Sequence, residues 1–189
     1  MLAYVFWHRP AEGVEPEAYA RLVRRFHRSI AAHPPGGFLR SVSFAAPAPN
    51  WLGELPAFED WYAVEDMAAL GVLNEAAIGR GHRSLHDAAA RAAGPGTGAI
   101  YRLLEGGAEF ESTRVAVWIE TPRGVQSPLL APLLGDGMDP ERAGGLWQRQ
   151  LALGPAPEYC LLAAEPPDGV APTRLRQGWS ATVTQRTPI

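Results

Sequence analysis

The stretch FEDWYAVEDMAALGVLNEAAIGRGHRSLHDAAA, residues 58–90, decides the fold. Its opening, FEDWYAVED (58–66), is rich in aromatics and valine and reads as a strand. Asp66 then stands where a helix N-cap is needed, before MAALGVLNEAA. Gly79 and Gly81 break or bend that helix, and HRSLHDAAARAA (82–93) resumes it. GPGTG (94–98) closes the segment as a loop, and AIYRLLEGG (99–107) reads as the next strand.

Upstream, LAYVFWHRP (2–10) is a strand with both faces largely apolar, so it needs cover on both sides. PEAYARLVRRFHRSIAAHPPGG follows as a helix. Pro16 suits its first turn, and Tyr19, Leu22, Val23, Phe26 and Ile30 form one apolar stripe. Arg21, Arg24, Arg25 and Arg28 lie mostly away from that stripe, and Pro34 to Gly37 end the helix. FLRSVSFAA (38–46) is a further strand, its apolar face interrupted by Arg40. The first half therefore runs β-α-β-β-α-β, the ferredoxin-like order, with two helices on one face of an antiparallel sheet.

The second half echoes the first. VAVWIETP (115–122) has the character of the first strand, with Val117 and Trp118 answering Val5 and Trp7. A loop, RGVQSPLLAPLLGDG, precedes DPERAGGLWQRQLAL (139–153). This reads as a helix capped by Asp139, with Pro140 in its first turn and Ala143, Leu146, Trp147 and Leu151 on its apolar side. PEYCLLAAE (157–165) is a strand, and the tail from Leu175 supplies one or two more. The expected fold class is α+β: a ferredoxin-like unit at residues 1–110, then a partial, degenerate second unit at 111–189.

Composition excludes several functions. The 189 residues carry 17 basic and 20 acidic side chains, a formal net charge of -3, with no basic stripe suited to nucleic acid. No apolar run reaches the roughly 20 residues of a membrane span. MLAYVFWHRP lacks the marks of a secretory leader, so the expected location is cytoplasmic. Cys160 is the one cysteine, which rules out an intrachain disulfide, and its apolar setting reads as a buried thiol.

The segment 58–90, with its aromatic strand (Trp61, Tyr62), acidic turn (Glu65, Asp66), Ala68 and Ala69, and histidines further along, resembles the dimeric α+β barrel superfamily. Antibiotic-biosynthesis monooxygenase-like, EthD-like and chlorite-dismutase-like proteins are its members. The resemblance implies two ferredoxin-like sheets packed as a barrel, supplied either by a homodimer or by the two halves of one chain as an intrachain pseudo-dimer. It implies a ligand cleft between sheet and helices. The implied function is small-molecule binding, extending to cofactor-independent oxygenation or isomerisation of a small aromatic or polyketide-like compound. The alternatives are a non-catalytic ligand-binding or assembly protein and, more remotely, a haem-binding member. No cofactor, metal, nucleic acid or membrane partner is expected.

Among single residues, His82 and His86 share a helix face, but no third ligand accompanies them and Asp87 points elsewhere. HRSLH also lacks the glutamate of a zinc-protease helix. The pair reads as helix-start or surface histidines, with His86 kept as an acid–base candidate. His8 ends the first strand on the Leu2–Tyr4–Phe6 face, at the cleft mouth, where a histidine, a residue type that changes charge near neutral pH, can donate to a phenolate or carboxylate. His27 reads as structural or exposed. Arg40 is the candidate for an anionic substrate oxygen, with Glu59 or Glu65 as its structural partner otherwise. Glu59–Asp60 and Glu65–Asp66 read as strand-edge and cap residues. The expected catalytic set is His8, His86 and Arg40.

Overall fold

The computed structural model describes residues 1–47, 57–79, 81–121, 144–165 and 179–189. Within them the first half forms β1 (Leu2–Pro10), α1 (Pro16–Ala32), β2 (Phe38–Ala46), β3 (Ala57–Val64), α2 (Met67–Ile78), α3 (Arg83–Ala92) and β4 (Ala93–Glu105). A short 3-10 turn at Phe110–Ser112 leads to β5 (Val115–Glu120), β6 (Leu146–Ala152), β7 (Tyr159–Ala163), β8 (Ser180–Gln185) and β9 (Thr187–Pro188). The loop read from Arg123 to Gly137 and the cap expected at Asp139 lie outside the described residues.

Local chemistry accounts for the helices. Pro16 sits in the first turn of α1, and Tyr19, Val23, Phe26 and Ile30 are its buried stripe. Leu22, expected in that stripe, is only half-buried. The Asp66 carboxylate caps α2 by accepting from the Ala69 N–H at 2.9 Å. Gly79 ends α2, and α3 begins after His82. Gly37, with φ of 73°, turns the chain into β2; a Cβ there would stand 2.4 Å from Ala69 Cβ.

One antiparallel sheet contains all nine strands in the order β8-β5-β7-β6-β4-β1-β3-β2-β9. The first half contributes β4-β1-β3-β2 and the second β8-β5-β7-β6, the same order with each strand replaced by its counterpart. The halves join where β4 pairs with β6. They meet again at the other end of the order. Only Arg186 separates β8, on β5, from β9, on β2, so the two ends of the sheet are neighbours and the sheet curls into a near-closed barrel. The architecture is an α+β barrel with a degenerate second unit, formed within one chain.

Two expectations fail for identifiable reasons. Residues 146–152 of the expected helix are strand β6, whose backbone groups pair with both β4 and β7. The helical spacing of Leu146, Trp147 and Leu151 was coincidental: Leu146 and Trp147 are buried on opposite faces, and Leu151 is exposed. GPGTG is not a loop but part of β4, pairing with β1 through Gly96↔His8 and Gly98↔Phe6. A Cβ on Gly96 would meet the Phe6 ring and the Trp7 carbonyl at 2.8 Å, and one on Gly98 the Tyr4 hydroxyl at 2.8 Å. The glycines let β1 aromatics lie across the neighbouring strand.

Period-two alternation sorts side chains between the barrel interior and the helix side. The interior holds Val5, Trp7, Phe44, Trp61, Tyr101, Trp118, Trp147 and Cys160. It is filled with side chains, and burial pushes the Cys160 thiol well up. On the helix side Leu2, Phe26, Ile30, Tyr62, Val64, Leu73 and Ile100 pack together.

Candidate functional site

The opening between sheet and helices is built from the same alternation. β1 turns Tyr4, Phe6 and His8 to the helix side, and β3 turns Phe58, Asp60 and Tyr62 there. α1 brings Tyr19, Val23 and Phe26; α2 and α3 add Leu70, Leu73 and His86. Together they enclose a cavity of about 550 Å³, with Met67 and Leu153 exposed at its margin. Its size is that of a small-molecule site, mostly apolar with a few convergent polar groups.

Those polar groups centre on Asp60. His8 Nε2 lies 3.1 Å from Asp60 Oδ2, off the line of a good hydrogen bond, while His8 Nδ1 is 2.6 Å from the Tyr19 hydroxyl. His27 Nε2 approaches the same carboxylate oxygen at 3.2 Å, and the Tyr62 hydroxyl donates to it at 3.0 Å. The Ser41 hydroxyl fixes His27 from behind at 2.8 Å. With a proton on His8 Nε2 toward the carboxylate, Nδ1 accepts from Tyr19. Phe6 and Phe58 stack on the His8 ring at centroid distances of 4.9 and 5.8 Å, which fixes its plane.

The electrostatics separate these groups. Burial opposes ionisation of Asp60, but the imidazoles of His8 and His27, by charge and by hydrogen bonding, more than offset it and hold the carboxyl far below its usual range. Burial, reinforced by the Asp60 charge, raises all three phenols: Tyr4 is pushed up to about 12, and Tyr19 and Tyr62 rise further. The site thus holds one carboxylate among neutral hydroxyls.

Of the expected catalytic residues, the structure brings His8 and His86 to this cavity and leaves Arg40 outside it. Arg40 lies on the Val42–Phe44 side of β2, its guanidinium held by Glu109 at 2.8 Å and Glu111 at 3.4 Å. Neither Glu59 nor Glu65 is its partner. A bulge between Phe38 and Arg40 puts Phe38 on the helix side, which explains the broken pattern in that strand. His86 is about one-third exposed, its Nδ1 3.2 Å from the Asp87 carboxylate. His82 is buried at the start of α3 and bonded to Ser29 of α1 at 2.7 Å, so the two histidines serve different neighbours. Among the described residues, no three His, Cys, Asp or Glu side chains gather as metal ligands. For a haem, His8 Nδ1 is engaged by Tyr19 and Nε2 is buried against Asp60, which leaves His86 as the other lining histidine among the described residues.

Sequence reasoning missed Asp60, Tyr19, Tyr62 and His27 as site residues. The available signal was in FEDWY: acids at 59 and 60 fall on opposite faces of a strand that is apolar on both, so both must be buried. Glu59 points into the barrel. There it accepts from Trp61 Nε1 at 2.6 Å and Trp7 Nε1 at 3.2 Å and pairs with Arg186 at 2.5 Å. Arg186 also reaches Thr113 and lies 4.0 Å over the Phe44 ring. That centre is sealed inside; the Asp60 centre faces the cavity.

No family model matches the chain, and no curated protein shows significant similarity to it. A solved structure described as "Crystal structure of Putative Chlorite dismutase TA0507" aligns over 99% of this chain and 95% of its own, at 11% identity and a TM-score of 0.47. The fold described above rests on strand order and pairing. Among the described residues no helix is long and apolar enough to cross a membrane.

Proposed function

We propose that this barrel binds a small aromatic or polyketide-like compound between sheet and helices and moves a proton on it, as a cofactor-independent oxygenase or isomerase does. The observation that carries this reading is His8, held between Asp60 and Tyr19 at the wall of a cavity of about 550 Å³. Tyr19 is the hydroxyl nearest the imidazole. A proton leaving the substrate passes to the Tyr19 oxygen as the Tyr19 proton passes to His8 Nδ1, and the Asp60 carboxylate stabilises the imidazolium that forms. His86, on the helical wall, is the group that returns a proton elsewhere on the compound. Apolar lining keeps the resulting carbanion or enolate from water, and orientation supplies much of the rate. No lysine occurs in the 189 residues, so no lysine side chain is present for imine chemistry. Arg40, first expected to hold an anionic oxygen, has no part in this scheme.

A second reading is a ligand-binding protein without chemistry. It is favoured by the enclosed setting of His8, both of whose nitrogens face protein groups. The test is a panel of hydroxylated aromatics and cyclic 1,3-diketones, followed by oxygen uptake, by solvent deuterium exchange and by binding. Catalysis predicts that His8→Asn lowers turnover by about 10²- to 10⁴-fold while binding persists. Exchange and turnover unchanged in both His8→Asn and His86→Asn would overturn it. Binding without exchange or turnover in the native protein would establish the second reading.

A further inference from the structure

The cavity's charge pattern says what it can admit. Asp60, 4% exposed, lines the cavity, and its Oδ1 has no hydrogen-bond partner, while Oδ2 is shared by His8, His27 and Tyr62. An unpartnered buried carboxylate oxygen is costly; Oδ1 is itself buried as it stands, so a small turn of the Asp60 side chain is what brings it to a donor on an occupant. Among the described residues, no arginine lines the cavity; its remaining polar lining is His8, His86, Asn74 and the tyrosines Tyr4, Tyr19 and Tyr62. The rest is aliphatic and aromatic, with Phe6, Tyr4 and Tyr62 supplying flat faces.

We propose that this cavity takes a neutral or cationic aromatic compound carrying a hydrogen-bond donor, and turns away carboxylates and phosphates, with Asp60 as the specificity-determining residue. This rests on the functional reading above and narrows it. The compound enters with its proton in place and hydrogen-bonds to Asp60. A second anion beside a desolvated carboxylate whose own charge already engages the neighbouring imidazoles, in a lining without arginine, is disfavoured against a neutral donor.

The experiment compares 2-naphthol, naphthalene and 2-naphthoate at neutral pH, by naphthyl fluorescence and calorimetry. These share one ring system and differ in donor and charge. The native protein is expected to bind 2-naphthol at least roughly tenfold more tightly than naphthalene and tenfold or more over 2-naphthoate. Asp60→Asn should bring 2-naphthol and 2-naphthoate within about threefold. Gly71→Phe locates the site: Gly71 lines the cavity on α2, and a Cβ there meets nothing within 4 Å, so the ring enters open space and should abolish binding of all three. The native series needs no variant to fold. Equal binding of the three probes overturns the inference and leaves the cavity's general role standing. Tighter binding of 2-naphthoate than of 2-naphthol overturns it outright. No binding of any probe removes the functional reading along with it.

Discussion

At the scale of single residues, the site is defined by one carboxylate kept charged among phenols kept neutral. Asp60 is held below the ordinary carboxylate range, so its contribution to stability is complete above that range and is lost as pH falls through its folded value. Asp60→Asn should therefore cost about 2 kcal/mol at pH 7. The gap to the native protein should shrink below about pH 4, as the carboxylate of the unfolded chain takes up a proton while the native one stays charged. Urea denaturation at several pH values measures this, and a gap independent of pH would contradict it. Tyr4 behaves in the opposite sense. Its phenol is raised from 10 to about 12, chiefly by burial, so the stability it contributes is whole below pH 10 and is lost as pH rises through about 12. In an ultraviolet phenolate titration, the native protein should lack most of the absorbance step of a free tyrosine near pH 10 and gain it on unfolding.

At the scale of elements, legibility followed how far a segment's fate was set by its own residues. α1 was readable because its stripe, its first-turn proline and its terminating Pro34–Gly37 are all local. The α2 cap and the break at Gly79 were readable for the same reason. GPGTG and the 146–152 strand were not, because distant partners decide them: β1 aromatics need the glycines, and β6 exists to be paired on both sides. His8 and His86 were legible as candidates by residue type and position. Asp60 and its tyrosines became a site only when α1 was laid over β1 and β3. The β4 glycines give a graded prediction. Gly96→Ala forces a Cβ against the Trp7 carbonyl, which can move only with its strand, and should cost about 2–3 kcal/mol. Gly98→Ala meets the Tyr4 side chain, which can swing aside, and should cost less while weakening ligand binding. Thermal denaturation of the two variants checks the order.

At the scale of the whole molecule, the α+β class and the ferredoxin-like order of the first half were legible from element order, and the barrel with a degenerate repeat was what the family resemblance implied. The way the barrel shuts was not. It depends on Arg186, a residue in a polar tail, reaching Glu59 across 127 positions of sequence. Removing one member of a buried ion pair leaves the other uncompensated, so Arg186→Met should cost about 3–5 kcal/mol. Pairing it with Glu59→Gln should recover much of that loss. A double-mutant cycle by denaturant unfolding reads the coupling, and simple additivity would argue against it.

That joint is small for the sheet it gathers. β9 is two residues long and holds β2 through the register pairs at Phe44 and Ala45, whereas β1 is flanked by β3 and β4 along nearly its whole length. The ring of strands is therefore uneven: a firm arc at β3, β1 and β4, and a clasp at β8 and β9. Thermal opening should start at the clasp and spread around the ring, leaving the firm arc for last. Amide hydrogen exchange should show it as a gradient of protection, highest in β1 and lowest in residues 180–189. The cavity wall made by β1 and β3 would then keep its shape through the small openings that loosen the far side.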